Sequence, residues 1–466
     1  MKKRLKAQKQ QIQKDNELFE QLHHQDTGFL EAEKGELTYN IQQSELKQHL
    51  EDDTLNKLMD LTLEFGPYRS RYSRNGSHVI VGGSLGQVAT IDWRRGKVYS
   101  DIMLDDQVRD VTYLQNHLYY AVAQSKYVYM YDQNGAELHC LEHHLNPTRL
   151  EYLPYHYLLA SCNNNGSLAY TDISMGTNVS KHRTKMGQCQ AMSHNPQNGI
   201  ISLGHYNGTV TFWQPTMQDY AMKMLCGRNQ INDLCFDASG HYMMTAGNDK
   251  QITIFDLRKM EPVYSYYTTG LPVSISMSDN GVLAMALNNR VQCWRNPHLS
   301  KEKSPYMEHI QHGSAVSSVQ FVPHEDLLGF GHMGGYSTMV VPGAGCSYDA
   351  LEANPFETTK QRREKEVHDL LDKLAPETIQ LKKLNIGKID ATLAVDDAAI
   401  KTPLNHVRKK NASGKRWANL KQRNIVDQHT EKLREMLELK ETGGAANQQQ
   451  QQQDADPLAR FNKGGS

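Results

Sequence analysis

Ile231-Asn232-Asp233-Leu234-Cys235-Phe236-Asp237-Ala238-Ser239-Gly240-His241-Tyr242-Met243-Met244-Thr245-Ala246-Gly247-Asn248-Asp249-Lys250-Gln251-Ile252-Thr253-Ile254-Phe255-Asp256 is the stretch that decides the fold. Ile231 to Phe236 alternates apolar and polar, the period of a half-buried strand. Asp237-Ala238-Ser239-Gly240 is a turn, His241 to Ala246 a second strand, and Gly247-Asn248-Asp249 a second turn. Gln251 to Phe255 is a third strand stopped by Asp256, and Pro262 to Tyr267 supplies a fourth. Gly, Asn and Asp suit these turns because they tolerate positive φ and hydrogen-bond their own backbone.

Outward from this unit the pattern repeats. A turn residue is followed six positions later by a polar stop at Gly86 and Asp92, Lys126 and Asp132, Gly166 and Asp172, Gly208 and Gln214, Lys250 and Asp256, and Asn289 and Arg295. Successive stops lie 40, 40, 42, 42 and 39 residues apart, and a looser copy runs from Gly335 to Val341. The same strand order is readable in Gln107–Glu142, Pro147–Lys185 and Gln188–Cys226, and degraded in Gly66–Leu104, Leu271–Ile310 and Ala315–Val341. Four strands per period of about 40 residues predicts an all-β chain, a seven-bladed WD-repeat-like β-propeller with helical N- and C-terminal extensions. Such a ring closes by completing its last blade with a strand from the other end of the chain. Leu61 to Phe65 has the needed alternation, with Cys346 to Leu351 as the rival.

The expected organisation is therefore an N-terminal polar, helical extension (1–60), the propeller (61–345), a helical segment (346–385), a basic extension (386–440) and a Gln-rich tail (441–466). Hydrophobic content of 38% and charged content of 22% suit a folded core with polar extensions. The net charge of -1 conceals an asymmetry. Residues 66–345 carry 21 basic and 21 acidic side chains, those before them 9 and 13, and those after them 21 and 18. A nucleic-acid footprint must then be local. All seven cysteines fall in or at the end of the repeats, without a CxxC pair. That pattern reads as buried, reduced thiols in an intracellular protein. The basic start has no apolar segment behind it, and no run is long enough to span a bilayer.

Ahead of the disc, Ile41, Leu46, Leu50, Leu55, Leu58 and Met59 form an imperfect helical stripe for packing on the disc or on a partner. Behind it, Asn354-Pro355-Phe356-Glu357 reads as a helix start, with Asn354 as cap. Val367, Leu370, Leu371 and Leu374 mark one apolar face, and Pro376 ends the helix. Lys360, Arg362, Arg363 and Lys365 cluster near its start, where cations oppose the helix dipole. An external anion or a solvated face would account for them. Further on, Arg408, Lys409, Lys410, Lys415, Arg416, Lys421 and Arg423, with Trp417 among them, place seven basic residues and no acid in sixteen positions. Lys and Arg neutralise phosphates and an indole stacks on an unpaired base, which suits RNA. A nuclear-localisation patch and a solvated helix face are the other readings. Leu433, Met436, Leu437 and Leu439 suggest a short amphipathic helix before the glutamines.

No catalytic, metal or cofactor site is expected. Gly96-Lys97-Val98, Gly387-Lys388-Ile389 and Gly414-Lys415-Arg416 lack the Ser/Thr of a phosphate loop, and Gly82-Gly83-Ser84-Leu85-Gly86 falls on a blade hairpin. His143-His144 and the His309/His312 pair lack companions at zinc spacing. The recurring Asp92, Asp132, Asp172 and Asp256 read as turn residues.

Phe65-Gly66-Pro67-Tyr68, Tyr72-Ser73-Arg74-Asn75-Gly76, Gly82-Gly83 and Ile91-Asp92-Trp93, together with Asp349 to Thr358, Gln361-Arg362-Arg363-Glu364 and Val367 to Leu374, resemble the Bing-four-type WD-repeat family of the small-subunit processome. The likeness covers about Leu61 to Leu384, with an echo at Ser413–Arg416 and Asn424–Asp427. It implies a nucleolar, non-enzymatic scaffold that assists precursor ribosomal RNA processing. It further implies precursor ribosomal RNA, U3 small nucleolar RNA and other processome proteins as partners, and no membrane or small-molecule substrate. Arg362, Arg363 and the 408–423 run would be the RNA or partner contacts. Two departures stand out: most blades lack the Gly-His and Trp-Asp pairs, and the tail is less basic than the family implies. The alternative is a substrate receptor of a cullin-RING ubiquitin ligase, because Phe255-Asp256-Leu257-Arg258 is close to a Trp-Asp-x-Arg box. A hydrolase would need convergent acid and base groups in the central channel.

Overall fold

The computed structural model describes residues 9, 28–31, 36–50, 52–346 and 358–381. Seven four-stranded antiparallel sheets follow one another around a ring. The deciding stretch forms strands Ile231–Phe236, Tyr242–Gly247, Gln251–Asp256 and Glu261–Tyr267, within a residue of the sequence reading except where the second strand slips by one. The expected turn residues do the expected work. Asp172 accepts the Ser174 backbone N–H (3.0 Å) and hydroxyl (2.9 Å), and Asp256 accepts the Arg258 N–H (2.9 Å).

The ring closes through its N-terminal strand. Asp60–Thr62 pairs antiparallel with Gly335–Val340, Asp60 opposite Ser337 and Thr62 opposite Gly335. The strand is shorter than Leu61–Phe65 and starts one residue earlier, and Leu63 adds one further bond, its N–H to the Gly334 carbonyl at 2.9 Å. Gly335 is what lets the strand in: its φ is +144°, and a Cβ there would lie 1.9 Å from the Leu61 carbonyl oxygen. Ahead of the strand come helices α1 (Gln43–Gln48) and α2 (Asp52–Asn56). Leu46 packs on the core between blades six and seven, and Leu50, Leu58 and Met59 on that between seven and one. The stripe read from sequence thus serves the disc.

The core lies between adjacent sheets. Ile80, Val88, Val111 and Val122 fill the first interface, for example, and Met244, Ile252, Ile275 and Met285 that between blades five and six. Each such side chain removed from water contributes about 1.5–3 kcal/mol. Around the channel the blades are stitched by side chains of their innermost strands. Asp110 accepts the Leu150 N–H and Asp233 the Ile275 N–H, both at 2.9 Å. Arg109 donates to the Pro147 carbonyl (3.2 Å) and Asn232 to that of Pro272 (2.8 Å). Each contact thus reaches from one blade to the next, and the device at blade two recurs at blade five.

Three blades carry a buried histidine network: His144 in blade three has no glycine before it, whereas His205 in blade four and His332 in blade seven each close a Gly-His pair. In blade three, His144 bonds Ser161 (2.5 Å) and Thr171 (2.7 Å). In blade four, His205 bonds Thr211 (2.6 Å) and the Cys189 thiol (3.3 Å), and Thr211 also accepts the Trp213 indole N–H (2.8 Å). Burial holds the His144 and His205 imidazoles near pKa 4, so they are neutral. The seven cysteines are free, five of them wholly or partly buried inside the blades, and burial pushes the Cys162 and Cys293 thiols up to about 12. Among the described residues no helix is long and apolar enough to cross a membrane.

Candidate partner-docking surface

The chain returns to the disc as helix α3 (Thr359–Leu371). Its cap is Thr358, whose extended backbone (φ -75°, ψ 159°) stands outside the helix. The Thr358 hydroxyl accepts the Gln361 N–H at 3.4 Å, and the Gln361 side chain accepts the Thr358 N–H at 3.0 Å. This reciprocal box opens α3; the start expected at Asn354-Pro355 lies outside the described residues. Thr-x-x-Gln satisfies the same donors as Asn-x-x-Glu, and two such signals four residues apart cannot be ranked by pattern alone.

The helix rests on the disc by its polar side. Glu366 accepts from the Asn116 amide (2.6 Å) and Asp369 from Gln115 (3.0 Å), both on a turn of blade two. Lys373 binds Asp172 and Ser174 in blade three, the latter at 2.8 Å. Beyond the helix, the Leu374 N–H meets the Tyr155 carbonyl (3.0 Å) and Thr378 bonds His156 (2.9 Å). Ile379 is fully buried with Leu153, Leu158 and Ile200 in the core between blades three and four. Pro376 opens a short 3-10 turn (Pro376–Thr378), as expected of a proline that ends one helix and starts another. The segment is thus a strap running across blades two, three and four, pinned at its far end by an isoleucine.

The consequence inverts the usual arrangement. Val367, Leu370, Leu371 and Leu374, which sequence reading marks as one apolar face, are 57%, 50%, 76% and 44% exposed. The rim beneath offers amides, a carboxylate and a hydroxyl, so the charged edge of the helix satisfies it. The apolar stripe is left outward.

Arg362 and Arg363 part company for the same reason. Arg362 is half-buried, its guanidinium 3.4 Å from the His117 imidazole, which stacks on His78 at 4.0 Å between centroids. Burial, with these cations nearby, lowers His78 to about 4 and His117 to about 3. Arg363 points outward with no side-chain partner among the described residues. Lys360 makes an exposed pair with Glu364 at 3.7 Å. Arg408, Lys409, Lys410, Lys415, Arg416, Trp417, Lys421 and Arg423 lie outside the described residues, as do Leu433 to Leu439.

The channel is lined by charges that answer one another. Glu151 accepts from Arg71 (2.9 Å) and His194 (2.8 Å). Burial pushes its carboxyl up, but these partners outweigh that and leave it below the usual carboxylate value. Both carboxylate oxygens are occupied, so the arrangement is a stitch between blades one, three and four. Arg258 folds back on its own turn, Nε to Asp256 at 3.2 Å and Nη2 to the Tyr242 hydroxyl at 3.3 Å. One grouping of metal-binding type occurs among the described residues. The Cys346 thiol is 3.5 Å from Asp279 and 3.6 Å from the His324 ring, a set drawn from three distant segments that spacing could not reveal. Burial, then Asp279, pushes this thiol up to about 12, and the three groups join Cys346 to two distant segments by hydrogen bonds.

Comparison with known proteins matches residues 305–382 to the BING4CT (NUC141) domain and 222–256 to the WD domain, G-beta repeat. The first match joins blade seven to the strap. The chain is 39% identical over 453 residues to the U3 small nucleolar RNA-associated protein 7 of Saccharomyces cerevisiae, covering 88% of this chain and 81% of that one. It is 40% identical over 374 residues to the WD repeat-containing protein 46 of Homo sapiens, covering 78% and 61%, and 36% identical over 433 residues to that of Mus musculus, covering 89% and 70%.

Proposed function

Since the chain belongs to the family of the U3 small nucleolar RNA-associated protein 7 and WD repeat-containing protein 46, we propose that it is a non-enzymatic scaffold of the small-subunit processome, acting in precursor ribosomal RNA processing in the nucleolus. The observation that carries this is the likeness to the yeast protein across disc and extensions together, at 39% identity and 81% of its length. A generic propeller would share the blades alone. The physical form suits the task. A ring stitched across successive blades is stiff, and a stiff disc keeps docked proteins and RNA in fixed relation. In this reading Arg363 and the run Arg408, Lys409, Lys410, Lys415, Arg416, Trp417, Lys421 and Arg423 contact precursor ribosomal RNA or U3 small nucleolar RNA, while Arg362 helps seat the strap. The ligase-receptor alternative gains nothing from Arg258, whose guanidinium is engaged within its own turn.

The test is to purify the tagged full-length chain and sequence the RNA that comes with it. Enrichment of precursor ribosomal RNA and U3 small nucleolar RNA, with RNA-anchored association weakening steeply as salt rises, is expected. Recovery of cullin-RING subunits without those RNAs would overturn the reading.

A further inference from the structure

We propose that the outward face of α3 is the docking site for an amphipathic helix of another protein, one whose apolar stripe meets Val367, Leu370, Leu371 and Leu374 and whose acidic residues lie opposite Lys360 and Arg363. The contact goes beyond membership of any particular particle, because it rests on the geometry of the strap.

Three observations converge. The strap cannot roll to bury its stripe, because Glu366, Asp369 and Lys373 hold its polar edge to blades two and three and Ile379 is locked in the core. Val367, Leu370 and Leu371 therefore stand in water at helical spacing i, i+3, i+4, with Leu374 three residues past the helix end, an apolar ridge on which a partner helix packs. The exposed apolar area is on the order of a few hundred Å2, the range in which a patch marks an interaction site.

The charges select the partner. Lys360, Arg362 and Arg363 sit at the positive end of the α3 dipole, where cations are unfavourable, and no acidic residue occupies the first turn. Lys360 and Arg363 are outward, whereas Asp372 and Glu377 are exposed at the far end. A helix bearing carboxylates at the Lys360 end relieves both the dipole and the unpaired Arg363. A second copy of this chain is the competing occupant, and the identity of the cross-linked segment separates the two.

The experiment places a photoreactive phenylalanine analogue at position 371 of the full-length chain in cells and identifies the cross-linked peptide by mass spectrometry, with the same analogue at exposed Tyr267 as control. The expected product is a segment of another protein with apolar residues at helical spacing and acids toward the Lys360 end. Leu370→Glu with Leu371→Glu should cut the yield at least tenfold, read from the analogue moved to 367, while circular dichroism and the melting curve stay unchanged. Lys360→Glu with Arg363→Glu should cut it severalfold, and charge reversal of the partner's acids should restore it. Cross-links to a second copy, to the chain's own tail or to RNA, or none above the control, would overturn the proposal. Because the readout is the cross-linked segment, failure of the RNA recovery described above would sink the processome reading and leave this one standing.

Discussion

Gln43 treats Val340 as a neighbouring strand would: its side-chain amide donates to the Val340 carbonyl at 2.9 Å and accepts the Val340 N–H at 3.0 Å. A residue of α1, buried to 9% exposure, thereby satisfies both backbone groups at the end of blade seven's third strand, just past the reach of Asp60–Thr62.

Gln43→Ala leaves that donor and acceptor buried without partners, a loss of about 1–3 kcal/mol. Equilibrium urea unfolding should show it as a lower midpoint, and limited proteolysis should cut the N-terminal extension sooner. An unchanged midpoint would mean that water replaces the amide at no cost.

The buried histidines give the disc a pH dependence of known sign. His144 and His205 sit near pKa 4 in the fold against the usual 6.5, so between these values the unfolded chain binds more protons. Stability is complete above pH 6.5 and falls as the pH drops toward 4. His78 and His117 act in the same direction. Melting temperatures across pH 4–8 should trace that slope, and His144→Gln should flatten it.

Ile379→Ala removes the pin of the strap at about 2–5 kcal/mol, the range for emptying a buried isoleucine site. Amide exchange should rise across Thr359–Leu371 and much less in Ile231–Phe236, because the strap opens as a local unit. Equal protection in both variants would show that the Glu366, Asp369 and Lys373 contacts hold it alone.

Thr358→Ala should fray the start of α3 by roughly 1 kcal/mol, read as faster amide exchange over its first turn. Asn354→Ala should leave that turn unchanged. The reverse result would restore the cap to Asn354.

Replacing Lys409, Lys410, Lys415, Arg416, Lys421 and Arg423 with Ala should leave the melting temperature as it is, since exposed charges contribute about 0.5 kcal/mol or less each. Cross-linking to precursor ribosomal RNA should fall. Wild-type cross-linking in this variant would remove the run from the RNA contacts.

What was legible in the sequence follows from range. Ile231 to Tyr267 could be read strand by strand because hairpins are local, and turn residues signal each reversal. The closing strand was legible as alternation but not in its bounds, since its register depends on Gly335 meeting Leu61. The His144 network carried no dipeptide signal, and Gly204-His205 gave no hint of its partners: Ser161, Thr171 and Thr211 come from other strands. The apolar face of α3 was legible in the sequence and its direction was not. Periodicity shows that Val367, Leu370, Leu371 and Leu374 share a side, as do Arg362, Glu366, Asp369 and Lys373. Which side meets the disc depends on Gln115, Asn116 and Asp172, contributed by turns some 200 residues or more upstream.

The pairing of Ser337 with Asp60 spans 277 residues. A ribosome adding about 5–20 residues each second needs on the order of 15–55 seconds to cover that distance. Throughout, Asp60–Thr62 has been made and has nothing to pair with, while six blades form and stack in an open arc. Ring closure is therefore among the last folding events, and the strap, translated later still, can seat only on a disc whose blades two to four have long been in place.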